Sequence, residues 1–347
     1  MRAIVKTGAW KGAELVEDYP EPTVEAHDVL IEVGAVSVCG TDREVFEWTG
    51  TAEAFGLKFP VVLGHEFAGT VVRVGEEVST IKPGDRVACE THIPCGYCFL
   101  CRNGNAHNCM NMKIVAMHLD GAFADRVAMP EHVCFRLADS QTMEAGALLE
   151  PAGVAWHAIQ RSAMAVAGGT VLVSGCGPIG LFVTQFALFL GATDVIAVEP
   201  NPYRRALARR LGALAFAPDE DVVDAIRSAF PERGGVDVGF EVSAAPAALH
   251  LLMEGVRPEG AVVTIGHPAD PVPLNVAKYV NKKGITLRGV FGRRIWDTWQ
   301  DLSRLVATGK LDLTWSISHR VPLMDMGEII ELLHSDANKV VVLPQAR

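Results

Sequence analysis

Four cysteines, Cys95, Cys98, Cys101 and Cys109, follow one another at spacings of three, three and eight residues. Thiolates this close along the chain can surround one zinc ion as a tetrahedron, and a site with no open position braces a loop but does no chemistry. The segment from about residue 90 to about residue 112 is therefore expected to be a structural zinc loop. The competing reading is a zinc ribbon on nucleic acid. A formal charge of −10 and a single, unpaired knuckle argue against it, because phosphate binding needs clustered Lys and Arg.

A chain of 347 residues exceeds the size at which one hydrophobic core stops growing, so two domains are expected. Hydrophobic residues at 49% and charged residues at 21% are the balance of a globular protein without disordered stretches. No apolar run of signal-peptide length precedes Gly8. The longest apolar helix candidate, about Ile179 to Leu190, is interrupted by Thr184 and Gln185 and is too short for a bilayer. A cytoplasmic protein without nucleic-acid or membrane partners is the expectation. In that compartment cysteines at these spacings speak for metal rather than disulfides.

From Thr170 onward, β-branched runs alternate with helical stretches. Val171–Val173, Asp194–Val198, Val236–Phe240, Ala261–Ile265 and Ile285–Gly289 read as buried strands, with helices such as Tyr203–Leu211 between them. This alternation predicts an α/β fold with a doubly wound parallel sheet. The first 150 or so residues carry short strands punctuated by Gly and Pro, among them Phe67–Gly75 and Lys82–Val87, the pattern of an antiparallel β domain. After Gly292 the pattern turns helical and ends in Lys339–Leu343, a strand expected to return to the first domain. The predicted division is 1–153 with 293–347, and 154–292.

Gly175-Cys176-Gly177-Pro178-Ile179-Gly180 follows a strand and opens a helix. In that context Gly175 permits the tight turn, Gly177 the approach of a pyrophosphate and Gly180 the packing of helix on strand, with the phosphate charge at the helix N-terminus. Glu199 ends the next strand, where an acid accepts bonds from both ribose hydroxyls and repels a 2′-phosphate. NAD is thus favoured over NADP, although Arg204 could bind that phosphate or flank the adenine.

A catalytic zinc needs three protein ligands and an open position. Cys39, His65, Glu66 and Glu150 are the candidates, in the segments Cys39-Gly-Thr41-Asp42, Gly64-His65-Glu66 and Leu149-Glu150-Pro151. Each segment is weak by itself; their joint order and separation carry the inference. Cys89, Cys134 and Cys176 read as small buried residues, and Met110 and Met112 as packing for the cysteine loop.

With these motifs the chain resembles the zinc-dependent medium-chain alcohol dehydrogenase family over essentially its full length. Within it, Cys39–Asp42 with Trp48, Glu90-Thr-His92 before Cys95, Pro200–Arg204, Gly292-Arg293 through Trp299 and Ser318–Arg320 are most similar to the L-threonine 3-dehydrogenase branch. The resemblance implies a GroES-like antiparallel β catalytic domain, a Rossmann domain, a cleft between them and a homotetramer. It implies Cys39, His65 and Glu66 as catalytic zinc ligands, with Glu150 as a fourth, exchangeable ligand or proton-path residue. Thr41 would pass on the substrate hydroxyl proton and His92 would line the substrate pocket. Ile179, Glu199, Arg204, Ile265-Gly266-His267 and Val290-Phe291 would contact NAD. The implied activity is NAD-dependent oxidation of a secondary alcohol of the L-threonine type. Arg293, just after the last Rossmann strand, is read either as a partner for a substrate carboxylate or as an interdomain or subunit salt bridge.

Two positions depart from the family pattern. Glu44 stands where a histidine usually completes the proton relay; a carboxylate could relay if burial raised its pKa, or it could be a solvent-facing acid without a role. Pro151-Ala152-Gly153-Val154-Ala155 replaces Pro-Phe-Gly-Asn-Ala, which alters the pocket wall and keeps polyols, aminocyclitols and other β-hydroxy amines as alternative substrates. A non-catalytic dinucleotide-binding protein is the reading from another class, and the intact ligand set argues against it.

Overall fold

The computed structural model describes residues 1–162, 164 and 166–346. It divides into two compact units, Met1–Pro151 joined by the stretch from Arg294 onward, and Ala152–Arg293.

The first unit is organised around one long strand, Asp28–Ser37, whose Val29, Ile31, Val33 and Val36 are buried. Glu66–Val74 pairs with it antiparallel along one edge. Its other edge is shared between Arg126–Pro130, beside Asp28 to Glu32, and Lys339–Leu343, beside Val36 and Ser37. Arg86–Cys89 and Cys134–Arg136 extend the sheet outward from Glu66–Val74, and Ile317–Pro322 adds a parallel strand beyond Lys339–Leu343. The apolar C-terminal run therefore closes onto a strand more than 300 residues earlier. The expected strand Lys82–Val87 begins instead at Arg86. Lys82-Pro-Gly-Asp85 forms a turn, with Asp85 Oδ2 accepting from the Lys82 N–H at 3.0 Å and Gly84 at φ +92°.

The second unit holds a parallel sheet in the order Leu214–Phe216, Asp194–Val198, Thr170–Ser174, Val236–Glu241, Val256–Thr264 and Thr286–Gly289. In chain order this is 3-2-1-4-5-6, the doubly wound arrangement whose reversal lies beside the first strand. Val171, Leu172 and Val173 are fully buried, as strands covered on both faces must be. Leu214–Phe216 escaped the sequence reading because three residues hold no periodicity. The strand expected at Ala261 starts at buried Val256 and crosses exposed Pro258 and Glu259 before it re-enters the core.

Candidate active site and metal centres

Sheet register assembles the first cluster. Ser37 lies opposite Glu66 on one side and opposite Val341 on the other, so Lys339, two residues before Val341, falls beside the end of the same strand. Cys39 follows that strand and His65 precedes the strand of Glu66. The ligand atoms of Cys39, His65 and Glu66 lie within 4.8 Å of one another, with His65 and Glu66 buried.

Three further side chains hold this cluster. Asp42, in the first turn of helix Gly40–Glu47, accepts from the Cys39 N–H at 2.8 Å and lies 3.4 Å from His65 Nδ1. With Nδ1 against Asp42, Nε2 of His65 is the nitrogen that would be left for a metal, as an outer carboxylate arranges for a ligating histidine. Burial opposes charge on His65, yet the Asp42 carboxylate and Cys39 sulfur push its pKa well above the usual value. Glu66 Oε2 accepts from both Ser37 Oγ and Lys339 Nζ. Lys339, 2% exposed, also donates to Val38 O at 3.0 Å. Burial would discharge this lysine, but Glu66 and Cys39 raise its pKa, so it stays an ammonium.

Glu150 is buried in helix Met143–Arg161 and lies outside the three-residue cluster, although its charge is felt by Lys339. Thr41 is half-buried in the first turn of helix Gly40–Glu47. Glu44 is half-buried, accepts from Thr49 Oγ1 at 2.5 Å and lies 3.7 Å from Arg43. His92 is 7% exposed. Its N–H donates at 2.9 Å to Glu90 Oε1, and its Nδ1 lies 3.8 Å from the same oxygen.

The second cluster is local. The sulfurs of Cys95, Cys98, Cys101 and Cys109 lie within 4.8 Å of one another, with Cys98 at 3.5 Å from Cys101 and 3.8 Å from Cys109. Tetrahedral bonds of about 2.3 Å to zinc place sulfurs roughly 3.8 Å apart. N–H donors aim at the sulfurs: Cys95 and Asn111 backbone groups at Cys109, and the Asn111 amide at Cys95. Against a desolvation cost, Asn111 and backbone donors at Tyr97 and Cys98 bring the Cys95 thiol down to about 6, which favours the thiolate that binds metal. Met110 does not pack this loop as expected: it is 71% exposed.

In the second unit, Gly175 adopts φ +98° and the helix Pro178–Phe189 begins at Gly177 without a side-chain cap. A Cβ at Gly180 would stand 1.9 Å from the Gly175 carbonyl oxygen, so helix and turn meet here only through glycine. The uncapped N-terminus opens on a cavity of about 800 Å³ lined by Gly175, Gly177, Glu199, Arg204 and Ser243 among others. Glu199 accepts from the Cys176 N–H at 2.6 Å and the Asn201 N–H at 2.9 Å. It thereby ties the glycine turn to the next strand. Arg205 spends its guanidinium on the Glu199 and Pro200 carbonyls at 2.7 and 2.6 Å, whereas Arg204 lines the cavity. Ile265 and Val290 are buried, Gly266 is half-buried, and His267 meets the half-exposed Phe291 edge-on at 6.2 Å. Arg293 is 1% exposed. Its stem crosses Gly153, where a Cβ would come within 2.7 Å of Arg293 Cδ.

Residues 25–139 match the alcohol dehydrogenase GroES-like domain and residues 178–308 the zinc-binding dehydrogenase family. The chain is 38% identical over 99% of its length to an L-threonine 3-dehydrogenase from Caldanaerobacter subterraneus, covering 99% of that protein. The chain belongs to the zinc-dependent medium-chain alcohol dehydrogenases. Among solved structures it is similar to a 2R,3R-butanediol dehydrogenase from Bacillus subtilis, at 30% identity with TM-score 0.89 and 99% of each chain covered. It is similar to the same extent, at 30% identity, TM-score 0.88 and 99% coverage of each, to a zinc-binding dehydrogenase from Sinorhizobium meliloti bound to NADP.

As a medium-chain alcohol dehydrogenase, this protein is a zinc-dependent oxidoreductase acting on CH–OH groups and using a nicotinamide dinucleotide. Its first unit is the GroES-like domain and its second the Rossmann domain. Both clusters suit zinc: the first offers sulfur, nitrogen and oxygen donors, the second sulfur alone. The uncapped helix and its cavity suit a dinucleotide pyrophosphate. Among the described residues no helix is long and apolar enough to cross a membrane. Sequence reasoning quoted Asp42 in a motif without a role, and it missed Ser37 and Lys339. Only the strand pairing reveals these two, although a lysine opening an apolar terminal run was a visible anomaly.

Proposed function

We propose that this protein oxidises the secondary alcohol of L-threonine to 2-amino-3-oxobutyrate with NAD, as a cytoplasmic homotetramer. The catalytic part would comprise 1–153 and 293–347, and the dinucleotide-binding part 154–292. The observation that carries the chemistry is the cluster of half-buried Cys39 with buried His65 and Glu66, three candidate ligands with a neutralising lysine and an orienting aspartate. The full-length similarity to L-threonine 3-dehydrogenases supports the substrate.

In this reading Cys39, His65 and Glu66 hold the catalytic zinc, and Cys95, Cys98, Cys101 and Cys109 the structural one. When bound, zinc polarises the alcohol oxygen and the dinucleotide accepts the hydride. Thr41 would accept the proton of the substrate hydroxyl as its own proton passes on toward the nicotinamide ribose, and Glu44, with Thr49 beside it, would carry the relay toward solvent. Glu150 serves as an exchangeable ligand or proton-path residue near Lys339. His92 lines the pocket, and Arg293 serves either as partner for a substrate carboxylate or in a salt bridge. Glu199 favours NAD over NADP by placing a carboxylate where a 2′-phosphate would lie.

A second reading, oxidation of a diol or polyol, is favoured by Ala152 and Val154 in the altered wall and by the similarity to 2R,3R-butanediol dehydrogenase. The deciding assay follows NADH formation by zinc-loaded protein with L-threonine, 2,3-butanediol, polyols, aminocyclitols and other β-hydroxy amines. Preference for L-threonine is expected; turnover confined to diols or polyols would replace the first reading with the second. Chelation should abolish activity and zinc restore it, and persistent turnover in verified zinc-free protein would refute the metal assignment.

A further inference from the structure

Glu90 is a carboxylate at 0% exposure. A buried charge of this kind must be met by donors or it destabilises the fold. N–H groups meet both oxygens: the His92 backbone at 2.9 Å on Oε1 and the indole of Trp299 at 2.8 Å on Oε2. The imidazole of His92 stands 3.8 Å from Oε1, too long for a hydrogen bond but close enough to feel the charge. Trp299 is 1% exposed and lies in helix Asp297–Ala307, with Phe135 at 5.6 Å and Trp296 at 5.9 Å between ring centroids. The Glu90 N–H donates to Val133 O at 2.9 Å, next to the strand that carries Phe135. Glu90 is thus fixed through its backbone and through Trp299, whose ring is itself packed by Phe135 and Trp296, and it presents one oxygen to His92.

We infer that Glu90, clamped by Trp299, is a positioning residue that sets which substrates His92 accepts. This rests on the reading of His92 as a pocket residue. Glu90 fixes the main chain of His92 and places a negative charge behind its ring, so the imidazole presents a defined face to the charged head group of an amino-acid substrate. An uncharged diol makes no use of that arrangement. A glutamine at position 90 turns one of the acceptor oxygens into an NH₂, so the N–H donor facing it, on His92 or on Trp299, meets a repulsive contact.

The test compares kcat/KM for L-threonine and for 2,3-butanediol in zinc-loaded wild type, Glu90→Gln, Trp299→Phe and His92→Ala, with folding checked by circular dichroism and thermal unfolding. The ratio of the two values is expected to shift toward the diol by about tenfold or more in Glu90→Gln, through KM for threonine more than kcat. Trp299→Phe, which removes one donor and leaves His92 in place, should shift it in the same direction by less. Equal losses on both substrates in Glu90→Gln and Trp299→Phe, with a shifted ratio in His92→Ala, would overturn the inference and leave the pocket role of His92 intact. An unchanged ratio in His92→Ala would overturn that pocket role and the inference with it.

Discussion

The two sulfur-bearing clusters of the GroES-like domain are built in opposite ways. Cys95, Cys98, Cys101 and Cys109 come from one loop, and backbone N–H groups of that loop supply part of their surroundings. Cys39 comes from a helix start, His65 and Glu66 from the beginning of a strand, and their support reaches to Lys339 near the other end of the chain. The first can form wherever its loop can close. The second exists only once the sheet is in register, because a one-residue slip would turn Glu66 or Lys339 to the other face. A stabilising site can therefore be local, whereas a reactive site draws on the rigidity of the whole domain.

This contrast can be tested from either side. The largest effect is expected for His65→Asn in the long-range cluster, which should lower kcat/KM by more than about a thousandfold while the zinc of the four-sulfur loop is retained by metal analysis. Comparable activity in this variant would remove the cluster from the chemistry. Lys339→Met leaves the Glu66 carboxylate buried without its cation, a loss of about 3–5 kcal/mol. Denaturant unfolding should show this loss fully in chelator-treated protein and less in zinc-loaded protein, where the metal charge substitutes for the ammonium. Equal losses in both forms would mean that lysine and metal act independently.

Cys98→Ser should act in the opposite sense, releasing the structural zinc and lowering the unfolding midpoint, with kcat of the surviving folded fraction reduced far less than in His65→Asn. Asp42→Asn keeps the size of the side chain but removes the charge beside His65, and should weaken catalytic zinc binding by about 10–100-fold in chelator competition. The smallest effect is expected for Glu44→Gln. The pH profile of turnover should shift with less than about tenfold change in kcat, and an unchanged profile would leave Glu44 as an anchor for Thr49 alone.

The local cluster was legible because its information is spacing: four cysteines within a short loop have few arrangements other than one that shares an ion. The glycine turn was legible for the same reason, since strand, turn and helix follow one another directly from Thr170 to Phe189. The long-range ligands could be listed from motifs, but not their geometry. Glu150 shows the difference, because it stood in the same list as Cys39, His65 and Glu66, whose ligand atoms alone of the four fall within 4.8 Å of one another.

By itself the sequence determined the class of both domains, the four-sulfur loop, the phosphate-binding turn and the return of the last strand. These depend on hydrophobic period, turn chemistry and residue spacing, all local along the chain. Only the tertiary structure decided that Asp42 orients His65, that Lys339 neutralises Glu66 and that Trp299 clamps Glu90. Such pairs span up to 273 residues, and no local pattern records which residues a sheet register or a packed helix will bring face to face.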